Sequence, residues 1–72
     1  MKAFLVETTL DVADRAIVLT TIDLPSFVIR KFLNQKYSMN NIEIDNNLKW
    51  HYDGTWECSF VKGTIKETEM IA

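Results

Sequence analysis

Glycine occurs twice, proline once, cysteine once and histidine once in this chain of 72 residues. Each scarcity removes a class of function. With Gly54 and Gly63 as the whole supply, no glycine-rich loop can cradle a phosphate. A lone Cys58 permits no internal disulfide, so the expected setting is reducing and cytoplasmic. One cysteine and one histidine do not complete a metal site, and neither a metal nor any other cofactor is expected. No stretch reaches the roughly 18 apolar residues of a membrane span, and no membrane partner is expected. The opening MKAFLVETTL, with one lysine and a short apolar run before Glu7, is not patterned as a secretory signal.

An excess of positive charge is also missing. Six lysines and two arginines face ten carboxylates, giving a net charge of −2 and a pI near 5.2. The basic residues form no run, which argues against general phosphate or nucleic-acid binding. No pair of carboxylates is set in an apolar neighbourhood, and so short a chain cannot build a deep pocket and a core together. An enzyme is therefore not expected.

What the chain does have is the composition of an ordinary globular domain, 47% apolar and 25% charged. Its length allows one hydrophobic core, and a partner or a second copy would add to its stability. In the segment Lys2 to Leu10, Phe4, Val6, Thr8 and Leu10 share one face of a strand, with a mixed face opposite. Ala16 to Ile22 predicts a second strand, nearly apolar throughout and hence central, with a helix over Asp11 to Leu19 as the alternative. From Leu24 to Tyr37, Leu24, Val28, Ile29, Phe32 and Leu33 form a helical stripe. Asp23 is placed to cap this helix, Pro25 sits in its first turn, and Asn40 and Asn41 are candidate terminators. Ile42–Asp45 predicts a strand, interrupted by a bulge at Asn46-Asn47. In the final segment, Lys62-Gly63 predicts a turn into a fifth strand carrying Ile65, with a short capped helix through Thr64 and Glu67 as the alternative.

The densest cluster of unusual residues is LKWHYDGTWECSF, residues 48 to 60. Asp53-Gly54 between two aromatic runs signals a hairpin. A two-residue loop would mix apolar and charged groups on both faces. A three-residue loop, Tyr52-Asp53-Gly54, pairs His51 with Thr55, Trp50 with Trp56, Lys49 with Glu57 and Leu48 with Cys58. It gathers Leu48, Trp50, Trp56, Cys58 and Phe60 on one face, expected to receive the helix. The expected fold is α+β, in the order β-β-α-β-β-β, with one amphipathic helix on one face of a small antiparallel sheet.

The function expected from these features is a non-enzymatic protein-binding module that also self-associates. In type it resembles small accessory and inhibitor proteins of phages and mobile elements, which act by occupying a partner's surface. Tyr52, at the hairpin tip, is the candidate anchor. Val61, Met70 and Ile71, with Leu5 and Val18, are apolar residues that a one-sided core does not absorb, and so are interface candidates. The rival is single-stranded nucleic-acid binding by Trp50, Trp56 and Phe60, with Tyr52, assisted by Lys49 and Lys62. It requires the tryptophans to be exposed on the sheet, and the acidic balance disfavours it.

Overall fold

The apolar-rich segments Lys2–Thr8 and Arg15–Thr20, with their β-branched and aromatic residues, form strands β1 and β2, paired antiparallel from Lys2 opposite Thr20 to Glu7 opposite Arg15. In the computed structural model, which describes residues 2–9 and 14–68, these are followed by helix α1 (Pro25–Tyr37) and helix α2 (Asn41–Asn47). Strands β3 (Lys49–Trp50), β4 (Thr55–Cys58) and β5 (Val61–Thr68) complete one antiparallel sheet in the spatial order β2-β1-β5-β4-β3. The α+β class and the helix-on-sheet packing are as expected.

The helices cover one face of the sheet. Val28, Ile29, Phe32 and Leu33 of α1 and Ile44 of α2 are fully buried against Phe4, Val6, Val18, Trp56, Cys58, Val61 and Ile65. Burial of such side chains contributes roughly 1.5–3 kcal/mol each, which makes this single layer the main source of stability. None of the described helices is long and apolar enough to cross a membrane.

Several local expectations are corrected. Residues 42–45 are helical rather than extended, and the element order is β-β-α-α-β-β-β. Asn40 accepts a hydrogen bond from the Glu43 amide at 2.8 Å, and Asn47 donates to the Glu43 carbonyl at 2.8 Å. This end-capping, with Ile44 anchored in the core, outweighs the β preference of two isoleucines. The left-handed residue that ends α1 is Ser38 (φ 54°), not an asparagine. Asp23 does not cap α1; its carboxylate accepts from Lys2 at 2.7 Å. Strand β2 is an edge strand, not a central one, because β1 takes β5 as its second neighbour. The β4–β5 turn falls at Ser59-Phe60 rather than at Lys62-Gly63, with Ser59 at φ 55°, so Phe60 leaves the face assigned to it.

Gly63 explains how β5 lies so close to β1. A Cβ there would come within 1.9 Å of the Glu7 carbonyl oxygen. Only glycine fits this crossing.

Candidate interaction surface

The hairpin register is the predicted one. Lys49 stands opposite Glu57 and Trp50 opposite Trp56, while the His51 amide donates to the Thr55 carbonyl at 2.9 Å. The loop Tyr52-Asp53-Gly54 is closed by Gly54 N–H donating to the His51 carbonyl at 3.1 Å, with Gly54 at φ 85°. Asp53 braces it by accepting from the Thr55 amide at 3.0 Å and the Thr55 hydroxyl at 2.7 Å. These bonds, the hydroxyl's first, hold the Asp53 carboxyl below the usual aspartate range. The Ile65 amide donates to the Gly54 carbonyl at 2.8 Å and ties the tip to β5.

This bracing fixes a residue that makes little use of it internally. Tyr52 is fully exposed, and its ring meets Trp50 edge-on, with centroids 6.2 Å apart and planes at 71°. Trp50 is itself 42% exposed. The pair lines an apolar cleft of about 170 Å³ together with Pro25 at the start of α1, Phe4 and Ile65. Lys66 and Glu67 also line it. Lys2 bonds Asp23 at 2.7 Å and Glu67 at 3.4 Å, and these contacts, Asp23's hydrogen bond first, raise the lysine pKa.

The sheet's other face carries Arg15, Lys49, His51, Thr55, Glu57, Lys62, Thr64 and Lys66, together with Ile17 and Leu19 on β2. A shallow concavity of about 320 Å³ lies over its β4–β5 half, lined by Thr9, His51, Thr55, Glu57, Lys62 and Thr64. Among the described residues no cluster of three His, Cys, Asp or Glu side chains is arranged to hold a metal.

Of the sequence-predicted interface residues, Tyr52 is exposed as expected. Val61 is fully buried and is corrected to a core residue, because the strand it opens turns it toward the helices. Val18 is likewise buried, and Met70 and Ile71 lie outside the described residues. The proposed nucleic-acid set is dispersed. Trp56 is 1% exposed and packs edge-on against Phe32 at 6.1 Å, so it offers no stacking surface. Phe60 is exposed, but at the β4–β5 turn, the opposite end of β4 from Trp50 and Tyr52. Lys49 and Lys62 flank Glu57 on the face turned away from the helices.

Sequence reasoning missed Phe4, Pro25 and Ile65 as cleft-lining residues, since nothing local places a strand start, a helix start and a distant strand beside one hairpin tip. Cys58 is buried as expected, and desolvation raises its thiol pKa, the opposite of what a nucleophile needs. No protein-family model, curated protein or solved structure matches this chain.

Proposed function

We propose that the protein is a non-enzymatic protein-binding module that presents the Trp50–Tyr52 cleft to a partner protein. The observation that carries this reading is the combination of full exposure and fixed position at Tyr52. A large aromatic held out in water contributes little to folding there, but the braced loop that carries it is pre-ordered for contact, so binding it loses little backbone entropy. The cleft beside it suits an apolar side chain of the partner, and Lys66 and Glu67 in its lining suit polar contacts to that anchor's neighbours. Engagement by such a module would block whatever the partner does with the same surface, as a small inhibitor does.

The test is affinity capture from nuclease-treated host lysate, run in parallel with wild type and Tyr52→Ala. A stoichiometric protein recovered by wild type and lost with the variant supports the reading. Equal recovery by both overturns the assignment of the cleft. Salt-dependent quenching of Trp50 by a single-stranded oligonucleotide would instead transfer the aromatic pair to the nucleic-acid reading.

A further inference from the structure

Strand β2 lies at the margin of the sheet, and two hydrogen bonds fix which way its backbone groups point. The Thr8 amide donates to the Asp14 carbonyl at 2.8 Å, and the Thr9 amide donates to the Lys62 carbonyl at 2.9 Å. Successive residues of a strand direct their N–H and C=O groups to alternate sides. The even-numbered residues of β1 therefore bond β2, and the odd-numbered ones bond β5. In β2, Ala16, Val18 and Thr20 face β1, whereas Arg15, Ile17 and Leu19 direct theirs outward. Among the described residues, nothing hydrogen-bonds these outward groups.

Edge strands are ordinarily blunted by proline, a bulge, shortness or an inward-pointing charge. The other edge, β3, is only two residues long. Strand β2 has none of these devices. Its RAIVLT runs without a break against β1 and carries its one charge at the first residue. Ile17 and Leu19 are 55% and 49% exposed on the face the helices leave open.

We propose that β2 pairs antiparallel with β2 of a second copy, about a two-fold axis at Ile17, so that two five-stranded sheets become one continuous sheet. The strand is complementary to itself in this register. Ile17 meets its own image and Arg15 meets Leu19 of the second copy, so every outward backbone group of Arg15, Ile17 and Leu19 finds a partner. Directly opposed residues keep the same face, as an antiparallel ladder requires. The two Arg15 side chains lie at opposite ends, so like charges do not meet, and each aliphatic stem lies along a leucine. Self-complementarity in hydrogen bonds, apolar contact and charge is what selects a second copy over an unrelated strand. This surface is separate from the Trp50–Tyr52 cleft.

Four variants read by light scattering and sedimentation equilibrium at high micromolar concentration test this. The wild-type chain is expected at twice its 8.4 kDa mass. Ile17→Pro removes an outward N–H that β1 does not use, at an edge position where proline is tolerated. It is expected to be monomeric with an unchanged far-UV circular dichroism spectrum. Leu19→Lys sets a cation opposite Arg15 twice over and should raise the dissociation constant at least about tenfold, whereas Leu19→Glu should retain the dimer in low salt. Tyr52→Ala should leave the mass unchanged, which separates this outcome from that of the cleft. A monomeric wild type, or a dimer indifferent to Ile17→Pro and to the charge placed at Leu19, overturns the proposal.

Discussion

Trp50 and Trp56 stand directly opposite each other across the β3–β4 ladder, yet Trp56 is 1% exposed and Trp50 is 42% exposed. The difference comes from position in the sheet. Strand β4 lies between β3 and β5 beneath the helical layer, where Trp56 meets Phe32, whereas β3 is the outermost strand.

The two indoles should therefore separate spectroscopically. Trp50→Phe, which leaves Trp56 alone, is expected to give blue-shifted emission that resists acrylamide. Trp56→Phe should leave a red-shifted, readily quenched Trp50. Equal quenching in both variants would contradict the assigned burial.

Trp56 Nε1 is buried with no acceptor among the described residues. An orphaned donor costs about 1–3 kcal/mol, so Trp56→Phe sheds that penalty while opening a smaller void than alanine does. Urea denaturation should show a loss of about 3–5 kcal/mol for Trp56→Ala and clearly less for Trp56→Phe.

Gly63→Ala tests the β1–β5 crossing. The added Cβ would meet backbone atoms of Glu7 and Thr8, which cannot swing aside as a side chain can. A loss of about 3 kcal/mol or more is expected in chemical denaturation.

Asp53 carries the pH dependence of the hairpin. Its pKa is depressed in the folded state by the Thr55 bonds, so its stabilising effect is present above the ordinary aspartate range. That effect is lost as pH falls through the lowered folded value. An NMR titration should find the Asp53 carboxyl titrating below a free aspartate, with the Thr55 amide shifting at the same midpoint. In Asp53→Asn the low midpoint should vanish.

Tyr52→Ala should change folding stability by less than about 1 kcal/mol while weakening partner capture, because the ring buries almost nothing within the chain. A large stability loss in thermal melts would make Tyr52 a structural residue instead.

Wherever the deciding interactions are local, the sequence sufficed. Asp53-Gly54 and the segregation of the flanking residues specified the hairpin register, since a slip by one residue would have turned Trp56 to the polar face. The stripe from Val28 to Leu33 specified the buried face of α1, and Ile65 marked a fifth strand that does form. In α2, by contrast, the Asn40 cap was in the sequence but its weight against Ile42 and Ile44 depended on Ile44 reaching the core. The interface assignment of Val61 failed because its burial depends on where the β4–β5 turn falls.

The sequence by itself determined the α+β class, the acidic charge and the register of the aromatic hairpin, because periodicity, turn chemistry and composition are properties of neighbouring residues. Tertiary structure alone decided that β2 is an edge, that one tryptophan is core and its partner surface, and that Phe4, Pro25 and Ile65 adjoin Tyr52. Those facts depend on strand order, and strand order is set by long-range packing of the whole sheet against its helices, which no local pattern encodes.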